Sequence, residues 1–130
     1  HRTRLDIGET MSGIIDSLTS ESGIIGGPTF KGSVGISQGA WGTCFSMSSL
    51  DNGLYYFTSS NVEAYPFSQV LIGKGKINGT NRENWGYIKS GSYTNHRLDS
   101  GNFQVYHGIT WAGAMDFYFT WQKIMPYNTE

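Results

Sequence analysis

Met115-Asp-Phe-Tyr-Phe-Thr-Trp-Gln-Lys-Ile124 decides how this chain is read. Phe117, Phe119 and Trp121 fall on one parity, and Tyr118, Thr120 and Gln122 fall on the other. Successive side chains of a strand point to opposite faces, so this is a β-strand with one apolar face against a core. The opposite face is polar yet mild, as suits a strand with a second sheet edge or a neighbouring subunit close by.

Working back from it, similar short segments recur. Thr29 to Ile36, Trp41 to Met47, Leu54-Tyr-Tyr-Phe-Thr, Gln69 to Ile72, Lys74 to Ile77, Asn84 to Lys89 and Phe103 to His107 read as strands. Asp51-Asn-Gly, Asn78-Gly-Thr and Asp99-Ser-Gly read as tight turns between them. Composition agrees. The chain of 130 residues carries 18 glycines and 15% aromatics, a balance that suits strands and turns because interior glycine disfavours helices. The expected fold class is all-β, a small β-barrel or β-sandwich head over residues 28–130.

Residues 1–27 differ. Leu5, Met11, Ile15 and Leu18 nearly follow a heptad-like stripe, interrupted by Gly8 and Gly13, before the Gly26-Gly-Pro hinge. This segment reads either as the end of a coiled-coil stalk or as an extended neck packed between identical chains. Together with the start at His1, it gives the expectation of a terminal piece of a longer protein.

The formal net charge is −1 and only 15% of residues are charged, against ~25% in ordinary domains. No basic stripe exists for phosphates, so nucleic acid is not an expected partner. No apolar run approaches the ~20 residues of a membrane span, so membrane insertion is not expected either. Cys44, the single cysteine, sits between aromatics and reads as a small buried hydrophobe.

The chemistry inventory points away from catalysis. His96 and His107 lie too far apart in sequence for a paired metal-ligand motif, and no cofactor is expected. Gly73-Lys-Gly-Lys has the wrong spacing for a phosphate loop. The acids Asp51, Glu63, Glu83, Asp99 and Asp116 show no pattern that pairs two of them, as glycoside cleavage requires.

Sugar binding asks for less: an aromatic face under a pyranose ring and a few planar polar groups for its hydroxyls. Two stretches offer the mixture. The first contains Trp85, Tyr87, Tyr93, Asn95, His96, Arg97 and Asp99; the second contains His107, Trp111 and Asp116. Trp41, Trp85 and Trp121 read as core or inter-subunit packing. Trp111, between Gly108 and Gly113, reads equally as exposed or packed. His96-Arg97 beside Asp99 also reads as a plain surface ion pair.

In order along residues 50–124, Asn52-Gly-Leu-Tyr-Tyr-Phe-Thr, Ala64-Tyr-Pro-Phe, Ile72-Gly-Lys-Gly-Lys-Ile and Thr120-Trp-Gln-Lys-Ile resemble the knob-type C-terminal domains of bacteriophage tail fibres and receptor-binding proteins. Ile109-Thr-Trp-Ala-Gly-Ala is similar to a Trp-bearing strand in the trimeric heads of lactococcal siphophage receptor-binding proteins. That family holds a saccharide with Trp, His, Asp and Arg. The resemblance implies that Trp111 and His107 carry this role here, with Arg97 and Asp99 or Asp116 as the charged members. This chain departs from that pattern by running on through a further Trp-containing strand. The resemblance also implies a homotrimer on the virion that adheres to a host cell-wall or capsular saccharide without catalysis. A structural trimerisation cap and a polysaccharide-degrading tailspike fragment stand as the alternatives.

Overall fold

The computed structural model describes residues 28–61 and 67–127. The stalk and hinge expected at residues 1–27, and part of the Ala64-Tyr-Pro-Phe motif, lie outside the described residues.

Eight strands form two antiparallel sheets, so the head is a sandwich rather than a closed barrel. They are β1 (Thr29–Ile36), β2 (Trp41–Ser46), β3 (Gly53–Asn61), β4 (Ser68–Ile77), β5 (Thr80–Lys89), β6 (Thr94–Asp99), β7 (Asn102–His107) and β8 (Met115–Met125). The five-stranded sheet runs β1-β8-β3-β4-β5 and the three-stranded sheet runs β2-β7-β6. β8 lies inside the larger sheet, paired with β1 on one side and β3 on the other. Its alternation is as the sequence reads: Phe117 and Phe119 are buried, while Asp116 and Tyr118 are exposed.

The β4–β5 and β6–β7 hairpins close on two-residue turns with left-handed backbone. Asn78 and Gly79 have φ of 52° and 72°, and Ser100 and Gly101 have φ of 53° and 80°. This is the mirror-image turn whose twist matches that of paired strands, and Asn-Gly is its most favourable sequence. Asp51-Asn52, by contrast, closes no hairpin; it leads the chain from β2 and the 3-10 turn Met47–Ser49 into the other sheet.

Aromatic rings fill the space between the sheets. Phe57 from β3 and Phe103 from β7 meet edge-on at 5.0 Å, with Phe45 stacked on Phe103 at 5.7 Å. Val70, Ile72 and Tyr55 complete this cluster from the larger sheet. Each such side chain contributes roughly 1.5–3 kcal/mol by leaving water. Trp85 and Trp121 pack against the same core.

Three local features depart from the sequence reading. Thr43 and Phe45 share parity in sequence, yet Thr43 faces solvent and Phe45 the core. A β-bulge at Cys44 separates Thr43, opposite Gln104, from Phe45, opposite Phe103. An extra residue on one strand reverses facing from there on. The segments Gln69–Ile72 and Lys74–Ile77 are one strand, continuous through Gly73. Lys74 is no phosphate ligand: its ammonium donates to the carbonyls of Met47 and Leu50 at 2.8 and 2.7 Å. Finally, Thr94–Asp99 is a strand beyond those that the sequence pattern marks.

Burial pushes the Cys44 thiol far above its ordinary range. Thiolate is the reactive form, so Cys44 is expected to resist alkylation at neutral pH in the folded domain and to react once the chain is denatured. Mass-spectrometric labelling with iodoacetamide, with and without guanidinium, checks this.

Candidate functional site

At one end of the sandwich, β6 begins, β7 ends and the 108–114 connection crosses to β8. His107, the last residue of β7, is fully buried. Its Nε2–H donates to the Gly113 carbonyl at 2.7 Å, and its Nδ1 accepts the Ile109 N–H at 3.2 Å. Those two bonds select the neutral imidazole protonated at Nε2 and commit both nitrogens to the connection. Ile109 is itself fully buried, and the Ala112 N–H returns to the Ile109 carbonyl at 3.3 Å. Thr110 and Trp111 therefore occupy the crest of a turn anchored on both sides, and Trp111 stands 60% exposed.

Tyr93 stands beside it, 48% exposed, with its ring edge-on to Trp111 at 4.8 Å. Its φ of 59° is a left-handed conformation that costs an aromatic residue energy. A close approach holds it there. The Gly108 N–H donates to the Tyr93 carbonyl at 2.9 Å. A Cβ at Gly108 would lie 2.7 Å from that oxygen and 3.3 Å from the Tyr106 ring. Gly108→Ala is accordingly expected to destabilise the domain by about 1–3 kcal/mol, visible as a lowered urea midpoint.

The aromatic line continues onto the outer face of the three-stranded sheet. Tyr106 packs on Trp41 at 5.1 Å, and the Arg97 guanidinium lies 4.1 Å over the Trp41 ring. A row of planar polar groups crosses all three strands beside them. Gln104 Nε2–H donates to Thr43 Oγ1 at 3.0 Å, and Arg97 Nε–H donates to Gln104 Oε1 at 2.7 Å. Arg97 Nη2 stands 3.6 Å from Asp99 Oδ2, an exposed pair that adds little stability but cancels the local charge. The face is neutral, aromatic and rich in hydrogen-bonding groups.

The structure thus divides the residues singled out from sequence. Tyr93 and Trp111 come together, and Arg97 and Asp99 pair on the neighbouring sheet face. His96 is corrected from ligand to interior residue: it is 5% exposed and bridges the two sheets. Its Nε2 shares a hydrogen bond with Ser59 Oγ at 2.9 Å, and its Nδ1 shares one with Tyr87 Oη at 3.0 Å. Burial lowers its pKa to about 4. His107 is likewise corrected, from ligand to positioning residue for the Trp111 turn. Asp116 lies on the outer face of the larger sheet, away from Arg97 and Asp99.

The chain matches no family model, no curated protein and no solved structure.

Trp41, Thr43, Gln104 and Tyr106 were not singled out from sequence as binding residues. Alternation along β2 and β7 would have placed them outward once β6 was recognised as their neighbouring strand and Cys44 as a bulge. Among the described residues, no three His, Cys, Asp or Glu side chains are grouped to hold a metal ion. No helix there is long and apolar enough to cross a membrane.

Proposed function

We propose that this chain is a non-catalytic carbohydrate-binding head, the receptor-binding tip of a phage tail fibre, acting as a homotrimer on a host cell-wall or capsular saccharide. One observation carries the reading: a tryptophan held 60% exposed at a turn whose flanks are anchored by buried His107 and Ile109. Exposing a large aromatic on an immobilised turn forgoes burial, and a rigid aromatic anchor loses little entropy when a ligand covers it. The apolar face of a pyranose fits against Trp111 and Tyr93. Its hydroxyls fit the amides, guanidinium and carboxylate of the adjoining sheet face. The near-neutral charge of that face favours an uncharged glycan.

The tail-tip setting and the trimer rest on the sequence resemblance. They have a physical motive in multivalency, since linked sites turn weak single contacts into firm attachment through effective concentration. The non-catalytic part of the reading rests on the sequence, which carries no catalytic motif. Both buried histidines have their two nitrogens engaged internally, and Asp99 and Asp116 lie on different sheets.

Two measurements test the proposal. Light scattering of the intact chain at micromolar concentration is expected to give three times the chain mass; a monomer would remove the tail-tip trimer. A microarray of bacterial surface glycans is expected to show retention of the chain. A blank array across uncharged cell-wall and capsular classes would leave the structural cap as the better reading.

A further inference from the structure

The opposite end of the sandwich holds a cavity of about 430 Å³ lined by Pro28, Phe30, Ser49, Leu50, Asp51, Tyr55, Trp121 and Lys123. It lies where the larger sheet runs on past the smaller one. β1 and β3 begin there, β8 nears its end, and the 3-10 turn Met47–Ser49 bends across. Its size falls within the ~300–1,000 Å³ of small-molecule sites.

The walls are fixed rather than adaptable. Lys74 holds the Leu50 carbonyl at 2.7 Å, and Tyr55 Oη–H donates to the Asp51 carbonyl at 2.9 Å. Phe30 stacks on Trp121 at 5.5 Å and keeps 46% of its surface exposed. Trp121 Nε1–H is a shielded donor in the same side chain, without an acceptor among the described residues. On β8 the core-facing parity of Phe117, Phe119 and Trp121 ends on Lys123, which brings a charge to the mouth of the core. Its stem occupies the space above Gly53, where a Cβ would lie 2.5 Å from the lysine Cε. Asp51 lines the cavity as well. The single ion pair between described side chains is Arg97 with Asp99, so neither Asp51 nor Lys123 is committed to one.

An apolar wall, one carboxylate acceptor and one ammonium donor define a ligand with three matching parts. It needs a small apolar group against Phe30, Leu50 and Pro28, an N–H or O–H for Asp51, and a carbonyl for Lys123. A neutral acetamido group on a hydroxylated ring supplies all three: methyl, amide N–H with ring hydroxyls, and carbonyl oxygen. From this geometry we infer a second binding site, for one N-acetylated amino-sugar unit, at the Asp51–Lys123 end of the sandwich. It narrows the carbohydrate-binding reading above to a sugar class, yet uses none of the residues around Trp111.

Saturation-transfer NMR with methyl N-acetyl-β-glucosaminide, with methyl β-glucoside as the control, tests this on the whole chain. The acetyl methyl is expected to receive the strongest saturation, and the plain glucoside little. Asp51→Asn and Lys123→Met, both conservative in volume at the cavity mouth, are each expected to weaken binding at least tenfold without lowering the melting temperature. Trp111→Ala is expected to leave this binding unchanged. No transfer to the acetamido sugar, or equal transfer to the glucoside, would overturn the site. Loss of binding in Trp111→Ala with Asp51→Asn unaffected would overturn it too, while leaving the Trp111 ledge intact as a glycan site.

Discussion

Replacing Trp111 by alanine is expected to abolish measurable glycan binding at the Trp111–Tyr93 ledge while leaving the fold in place. The side chain stands 60% exposed, so its truncation removes little of the core. Among what the domain loses is the edge-on contact with Tyr93 at 4.8 Å, about 0.5–1.5 kcal/mol for an aromatic pair. Binding should suffer much more. A central aromatic anchor is commonly worth about 2–4 kcal/mol when a partner covers it, which is roughly 30- to 1,000-fold in Kd. A single saccharide contact is weak to begin with, so such a loss takes it below detection. Unchanged binding by calorimetry or array would remove Trp111 from the site. Trp111→Phe is expected to recover part of the affinity, because a smaller aromatic face remains.

A second large effect is expected on acidification, and it comes from His96. Its imidazole is buried between the sheets against Phe57 and Phe103, hydrogen-bonded to Ser59 and Tyr87. Burial holds its pKa at about 4 in the folded domain, against 6.5 for a free imidazole. Above pH 6.5 both folded and unfolded chains carry it neutral, and the fold is undiminished. Between pH 6.5 and 4 only the unfolded chain takes up the proton, so stability falls with falling pH. That difference corresponds to about 3 kcal/mol, a large share of a small domain's stability. Below pH 4 the folded state takes up the proton as well, and this contribution levels off. His96→Gln keeps a polar group between Ser59 and Tyr87 but cannot titrate. Urea denaturation across this range should show a steeper loss for the natural chain than for the variant. Equal slopes would mean that His96 is solvated or charged in the fold.

The parts of this fold that were legible in the sequence are those set by local rules. β8 announces itself because its aromatic residues alternate over a full strand. The Asn78-Gly79 and Ser100-Gly101 turns announce themselves because few residue pairs tolerate two successive left-handed conformations. What escaped depends on distant partners. β6 has few apolar residues, and one of its core-facing positions is filled by His96, whose burial is made tolerable by Ser59 and Tyr87 on other strands. β4 reads as two pieces because Gly73 interrupts it. The space above that glycine is taken by the ring of Tyr127, from the far end of the chain; a Cβ there would lie 2.6 Å from it.

The candidate site divides in the same way. Trp111 and Tyr93 were legible as aromatics near glycines, and their adjacency follows from the Gly108–Tyr93 hydrogen bond between strand ends. His107 carried the right chemistry for a ligand, but the 108–114 connection folds back onto both its nitrogens. The sheet-face row of Thr43, Gln104 and Arg97 needed the cross-strand register, which no single segment contains.

The central claim, that a glycan lies on the Trp111 ledge, has a direct reporter in the four tryptophan indoles of the chain. Their Nε1–H signals are to be followed by proton–nitrogen correlation NMR during titration with an uncharged host cell-wall oligosaccharide retained on the array. The account predicts that the Trp111 signal moves first and furthest, with Trp41 following as the ligand extends over the neighbouring sheet face, and core-packed Trp85 nearly still. A bound oligosaccharide that leaves the Trp111 signal in place would contradict it.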